Sequence, residues 1–188
     1  MMIAFVGLRM FPASQAGLSG IDVRSEEIIK YFSKRNTVIV YVRSWLRHKK
    51  KEYKSIIVEQ IFTFQNKYID TFIYSLFASI KVSFSNSDFV FYEGTSSTFF
   101  SFLPRLFKKK VIVTVHTQEF LRSKWNIFGR FILLISEYIG IKIAHKIISV
   151  SDFISKYLKI KYRKYSELIP YYLKYKKNKS AKLLAKFQ

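Results

Sequence analysis

Two kinds of hydrophobic pattern alternate along the chain. Short runs of β-branched and aromatic residues, such as VIVTV at Val111–Val115, are typical of strands buried on both faces of a parallel sheet. Between them lie stretches whose apolar residues are spaced by three and four, as expected of amphipathic helices. The pattern predicts seven strands, which cover Met2–Val6, Thr37–Val42, Ser55–Phe62, Asp88–Tyr92, Val111–Val115, Lys146–Val150 and Glu167–Pro170.

Helices are predicted in the intervals between these strands. The first begins near Ser19 or Gly20, and the helix before the last strand is capped by Ser151. A short helix at Ser96–Phe107 is expected to end around Pro104 or at the lysines that follow, because proline interrupts a helix interior. The two longest helices are predicted at Tyr68–Phe84 and from about Ile127 to Ala144.

Strands that alternate with helices indicate right-handed crossovers and therefore a parallel sheet. The expected fold class is α/β, with a single Rossmann-like, doubly wound, mainly parallel sheet and helices on both of its faces. This domain is expected to occupy residues 1–170. Residues 171–188 carry six lysines and no acidic residue, and we expect them to form a linker or a helix that lies on a surface.

Composition narrows the class of protein. The 188 residues suit one core, and a hydrophobic content of 49% excludes disorder for most of the chain. The formal net charge of +21 favours anionic partners, whether nucleic acid, acidic lipid or phosphorylated small molecules. The absence of cysteine excludes disulfides and thiolate zinc sites, and the three histidines are too scattered to form a metal cluster. Since neither a transmembrane helix nor a secretory signal is recognisable, we expect a cytoplasmic protein, either free or peripheral on the inner face of the membrane.

His116 is the first residue after the β-branched run Val111–Val115. Open α/β sheets bind their ligands at the carboxyl ends of the strands, so His116 is the leading candidate for a functional residue. A histidine that merely ends a strand is the alternative. Glu93 occupies the same kind of position after the strand Asp88–Tyr92 and is a second candidate.

Three charged residues lie just past His116, namely Glu119, Arg122 and Lys124. Arginine and lysine suit phosphate, and carboxylates suit sugar hydroxyls, so these residues are candidates to hold an acceptor. A solvated turn is the alternative, because runs of charge usually face water.

The loop before the first helix contains Gly17 and Gly20. Glycine lets the backbone approach a ligand closely, and the N–H groups at a helix start bind anions. Neither GxGxxG nor GxxxxGK[ST] occurs here, so the loop has neither the dinucleotide fingerprint nor the Walker motif. The loop is either an anion pocket or simply a turn that leads into a helix.

The order of these motifs resembles the amino-terminal domain of GT-B fold glycosyltransferases, in particular the group of bacterial rhamnosyltransferase-like enzymes. The resemblance covers residues 1 to about 170. It is carried by the segments FVGLRMFPA, Gly20-Ile21-Asp22 with Glu26-Glu27, TVIVYVRS, KYIDTF, DFVFYEG, VIVTVHTQEFLRSKWN, and AHKIISVSDFISKYL before Leu168-Ile169-Pro170.

The resemblance implies transfer of a sugar from a nucleotide sugar to a glycan or lipid-linked acceptor, across a cleft between two Rossmann-like domains. The amino-terminal domain chiefly holds the acceptor. The histidine that matches His116 then reaches the transferring sugar as the catalytic residue. The loop Gly17–Asp22, including Ser19 and Gly20, lies under the phosphates of the donor. No metal is expected, and no cofactor other than the nucleotide sugar as co-substrate, since the DxD pair of the other main glycosyltransferase fold is absent.

Several positions depart from the pattern of the family. Ser19 stands where a glycine is usual, Asp22 where a glutamate is common, and Glu93 where a histidine is frequent. In the family a carboxyl-terminal domain binds the nucleotide sugar, and this chain is expected to stop where the linker to it would begin. We therefore expect either a truncated half-enzyme that is inactive alone or a chain that works with a separate polypeptide supplying the donor domain.

A non-catalytic basic binding module is the alternative function. A basic and aromatic surface could hold the protein against anionic lipid headgroups, and it comprises Trp45, Arg47, Lys49–Lys51 and the lysine-rich tail. The alternative is that these residues simply face water. Nucleic acid is the competing anionic partner, and charge alone supports it, because no paired zinc ligands and no RRM-type aromatic signature occur. A third alternative is a non-catalytic protein that docks another subunit through Tyr171–Gln188.

Overall fold

A computed structural model describes residues 1–13, 20–46, 55–66 and 69–171. Some residues with predicted functional roles lie outside the described residues, namely Gly17, Ser19, Arg47, Lys49–Lys51 and the lysines of the tail. The strands are β1 (Met2–Val6), β2 (Thr37–Arg43), β3 (Ile56–Ile61), β4 (Phe89–Glu93), β5 (Lys110–Val115), β6 (Lys146–Ser149) and β7 (Glu167–Leu168). The α-helices are α1 (Gly20–Phe32), α2 (Asp70–Ser83), α3 (Phe102–Leu106), α4 (Ile127–Ile143) and α5 (Asp152–Tyr162).

The seven strands form one parallel sheet in the order β3-β2-β1-β4-β5-β6-β7. The chain first winds outward from β1 to β3 and then crosses back to place β4 on the other side of β1. The predicted fold class, a Rossmann-like doubly wound α/β sheet, is confirmed. The reversal of strand order puts the topological switch point between β1 and β4, where sheets of this kind bind ligands.

Alternate residues of the strands feed two cores, one on each face of the sheet. Ile3 and Phe5 of β1 pack with Ile29 of α1 on one face. Ala4 and Val6 belong to the core on the opposite face, to which α2, α4 and α5 contribute. Because both faces are covered, every central strand is apolar at consecutive positions, which is why β-branched runs predicted the strands well.

The segment Ser96–Phe107 corrects one prediction. This part of the chain forms a 3-10 turn at Thr95–Ser97 and the separate helix α3, instead of one helix over Ser96–Phe107. Of the two predicted stops, Pro104 is wrong, and the lysines fit, because α3 ends at Leu106, just before Lys108–Lys110. Pro104 lies inside α3 as its third residue. The N–H groups of the first helical turn have no partner within a helix, so a proline at this position removes no helical hydrogen bond.

Caps fix the start of the two helices that follow the site. The side chain of Asn126 accepts a hydrogen bond from the Gly129 N–H and begins α4. The predicted cap Ser151 is confirmed, since its side chain accepts from the Ile154 N–H at the start of α5. Among the described residues, no helix combines the length and the apolar character needed to cross a bilayer.

A buried carboxylate joins α4 to α5. Glu137 of α4 is fully buried, and its Oε1 accepts hydrogen bonds from the hydroxyls of Tyr157 and Tyr162 at 2.5 Å and from the Lys161 ammonium at 3.2 Å. Lys161 also lies 4.5 Å from the ring centre of Phe120. Burial and this carboxylate raise the pKa of Tyr157 and Tyr162, so both hydroxyls stay protonated as donors. The cluster holds the chain just beyond β5 against α5.

Glu137→Gln is expected to lower the free energy of unfolding by about 1–3 kcal/mol, because an amide weakens charge-assisted hydrogen bonds inside the protein. Urea denaturation followed by circular dichroism measures the change. Glu167→Gln is the matched control, since Glu167 pairs with Lys146 at 2.9 Å on the surface, where such pairs contribute little. Equal stability of the two variants would contradict a structural role for Glu137.

Candidate functional site

A cleft of about 1000 Å³ opens at the carboxyl edge of the sheet, over the switch point between β1 and β4. Its floor depends on a close approach of the two strand ends. Gly7 has a φ of +103°, and a Cβ added there would lie 2.5 Å from the carbonyl oxygen of Glu93. Only glycine fits this backbone conformation and spacing. The Gly7 N–H donates to the hydroxyl of Tyr74, and burial raises the pKa of Tyr74 to about 12, so that hydroxyl keeps its proton.

His116 and Glu93 form a buried pair at the floor of the cleft. His116 Nε2 lies 2.9 Å from Glu93 Oε2. Glu93 also accepts a hydrogen bond from the hydroxyl of Thr114, its register partner on β5, at 3.2 Å. The guanidinium of Arg24, which comes from α1, lies 3.7 Å from the same carboxylate. The pair is therefore assembled from β4, β5 and α1.

The charge state of Glu93 determines the tautomer of His116. Burial alone would raise the pKa of Glu93, but its hydrogen bonds with His116 and Thr114 and the charge of Arg24 outweigh burial and lower that pKa. An ionised carboxylate only accepts hydrogen bonds. His116 Nε2 must therefore carry a proton, and in the neutral imidazole Nδ1 is then the nitrogen that can accept a hydrogen bond.

Tyr171 covers that second nitrogen. Its hydroxyl lies 2.7 Å from His116 Nδ1, and the imidazole is only 3% exposed. The guanidinium of Arg24 lies 5.7 Å from the centre of the Tyr171 ring. A ligand reaches Nδ1 only after the hydroxyl of Tyr171 leaves it.

The structure brings together every predicted site residue that it describes. The cleft is lined by Gly20, Asp22, Glu93, His116, Glu119, Arg122 and Lys124.

These seven residues differ in what they offer a ligand. Asp22 is buried, and its Oδ1 accepts from the Arg9 N–H at 3.0 Å. Glu119 is also buried and pairs with Arg122 at 3.5 Å. Glu93 is occupied by His116, Thr114 and Arg24. The cations at the cleft edge are thus better placed to meet a ligand than the carboxylates.

A second wall of the cleft was not foreseen from the sequence. Arg43 ends β2 and is buried, and its Nε donates to Asp70 at 2.6 Å. Asp70 also accepts from the indole N–H of Trp45 at 2.8 Å, which fixes the indole beside the cleft. A polar residue at the carboxyl end of β2 was the available signal, and the same rule had singled out His116 and Glu93.

Both tryptophans of the chain, Trp45 and Trp125, line this one cleft. Phe72, Phe99 and Phe128 also contribute to its wall. Lys124 lies 4.7 Å from the centre of the Trp125 ring. The cleft therefore offers flat apolar surfaces beside cationic and imidazole groups, a combination that suits a ligand with both ring faces and anionic or hydroxyl groups.

Comparison with protein-family models gives no match, and no curated protein is similar enough in sequence to count as a relative. Any assignment of function rests on the motifs of the chain and on the chemistry of the cleft.

Proposed function

We propose that this protein is the acceptor-side domain of a GT-B type glycosyltransferase and that it takes part in sugar transfer from a nucleotide sugar to a glycan or lipid-linked acceptor. The observation that carries the proposal is the cleft at the switch point, with His116 at the end of β5 and oriented by the buried Glu93. The resemblance of the motif order to such domains supports the same assignment.

In this proposal His116 acts through Nδ1. Since Nε2 donates a hydrogen bond to the ionised Glu93, Nδ1 is the atom that can accept a hydrogen bond or a proton from a hydroxyl group of the sugar or the acceptor. Glu93 holds the imidazole in this tautomer and orientation. Tyr171 occupies Nδ1 until substrate binds.

The remaining groups of the cleft have separate tasks. Trp45 and Trp125 provide ring faces for sugars. Arg122 and Lys124 suit the phosphates of a lipid-linked acceptor, and the N–H groups at the start of α1, at Gly20, suit the phosphates of the donor. In a GT-B enzyme a second domain binds the nucleotide sugar itself, so the donor site requires that domain in addition to these residues.

Tryptophan fluorescence provides a direct test, because both tryptophans line the cleft. The full chain is titrated with a panel of soluble glycans, with and without a terminal diphosphate, and in parallel with short single-stranded oligonucleotides. We expect a saturable change in fluorescence on addition of a glycan. We expect this change to be altered in Trp45→Phe and in Trp125→Phe, because each substitution removes one of the two tryptophans that line the cleft. A fluorescence change that saturates with oligonucleotides, together with no response to any glycan, would contradict the proposal and favour a basic nucleic-acid-binding module instead.

A further inference from the structure

Helix α4 is apolar on two opposite sides, which is unusual for a helix with one solvent-facing side. Leu133 and Ile141 pack into the protein. On the other side Ile127, Phe128 and Phe131 are 79%, 75% and 63% exposed. Helices that are hydrophobic all round are normally enclosed by protein or by lipid. Nothing among the described residues covers this side of α4.

The exposed charges in the segment from Glu119 to Lys142 are of one sign. Within the segment from Glu119 to Lys142 the two acidic residues, Glu119 and Glu137, are buried. The basic residues Arg122, Lys124 and Arg130 are exposed next to the apolar side chains. An apolar helix face bordered by arginine and lysine is the pattern that lies in the interfacial region of an anionic membrane.

We propose that the surface formed by Leu121, Ile127, Phe128 and Phe131 with Arg122, Lys124 and Arg130, the α4 face, docks on a bilayer that contains anionic lipid. The phosphates of an anionic headgroup layer suit the bordering arginine and lysine side chains, and the acyl region beneath them suits the apolar side chains. The inference does not depend on the proposed sugar transfer.

The α4 face borders the cleft. Phe128, Arg122 and Lys124 belong to the α4 face and also line the cleft. When the α4 face docks, the rim of the cleft therefore lies at the lipid headgroups. A ligand with a lipid anchor would then reach the cleft without leaving the bilayer.

Vesicle co-sedimentation of the full chain tests the docking. The vesicles are phosphatidylcholine alone or phosphatidylcholine with phosphatidylglycerol, at low and high salt. The test variant is Ile127→Ser/Phe128→Ser/Phe131→Ser. The matched control is Phe84→Ser/Ile160→Ser, which removes side chains that are 72% and 82% exposed at the end of α2 and late in α5, near the opposite edge of the sheet. Circular dichroism and thermal melts confirm that both variants fold.

Wild type and control are expected to bind the anionic vesicles equally, and the test variant is expected to lose roughly tenfold in partition coefficient for each large side chain removed. Arg130→Glu should lower binding to anionic vesicles roughly fivefold or more and leave binding to phosphatidylcholine unchanged. Full binding by the triple serine variant would overturn the proposal and assign the attraction to lysine-rich segments elsewhere. Absence of wild-type binding, with a dimer in light scattering that the triple variant abolishes, would overturn it in favour of a second copy of the chain. Neither result bears on the glycan titration, which uses soluble ligands.

Discussion

Glu93→Gln is expected to lower the free energy of unfolding by about 3–5 kcal/mol at neutral pH, a large share of the stability of a domain of this size. The substitution keeps the shape of the side chain but removes its charge. Arg24, buried in the same interior, then loses its carboxylate partner at 3.7 Å, and a buried charge without a partner is strongly destabilising. Urea denaturation of wild type and variant at the same pH measures the difference.

The difference in stability between wild type and Glu93→Gln is expected to change with pH in a predictable direction. The pKa of Glu93 is lowered in the folded protein from its ordinary value of 4.5, because His116 and Arg24 favour the carboxylate. A group with a lowered folded pKa stabilises the fold above its unfolded pKa and loses that contribution as the pH falls through the folded value. The gap in stability between wild type and Glu93→Gln should therefore be constant from neutral pH to about pH 5 and shrink in more acidic solution.

The double variant Arg24→Met/Glu93→Gln provides the control for this interpretation. Removing both members of a buried ion pair costs far less than removing one, since no charge is left without a partner. The double variant is expected to be more stable than Glu93→Gln alone. If it were less stable by the sum of the two single effects, Arg24 and Glu93 would act independently, and the ion pair would not be the cause.

The fold could be predicted from the sequence because the strands have a distinctive hydrophobic pattern. Val111, Val113 and Val115 face one core while Ile112 packs against the other, so β5 appears in the sequence as a continuous β-branched run. The same reasoning located His116 and Glu93, because each directly follows or ends such a run. Of the two stops predicted for the helix in this region, only Pro104 was wrong, because a residue that breaks helix interiors is harmless in the first turn.

Contacts between distant parts of the chain could not be predicted in the same way. The His116–Glu93 bond depends on the register of β4 and β5, which pairs Glu93 with Thr114. Arg24 appears in the sequence as an ordinary charge on a helix, and only the packing of α1 against the sheet brings it to Glu93. Tyr171 reaches His116 across 55 positions of sequence. Site residues on strand ends can thus be found from sequence, while the groups that set their protonation cannot.

The arrangement around His116 also explains how one histidine can be both structural and functional. Nε2 donates a hydrogen bond to Glu93 in the interior, and this contact contributes to the stability of the domain. Nδ1 faces Tyr171 at the cleft, and it is the nitrogen that acts in the proposed chemistry. A substitution that preserves the first contact and removes the second separates the two roles, and glutamine does so because its amide nitrogen can occupy the place of Nε2.

In His116→Gln the rate of sugar transfer is expected to fall by about 10²–10⁴-fold, the usual contribution of a general acid or base, while the stability of the fold changes little. Membranes from cells that produce the variant are incubated with radiolabelled nucleotide sugars, and incorporation into glycan is measured. His145→Asn is the control, because His145 Nδ1 accepts from the Val111 N–H away from the cleft and an asparagine oxygen can replace that acceptor. A folded His116→Gln protein that supports the wild-type rate would show that Nδ1 has no part in transfer, and the imidazole would then serve only to hold β4 and β5 together at the floor of the cleft.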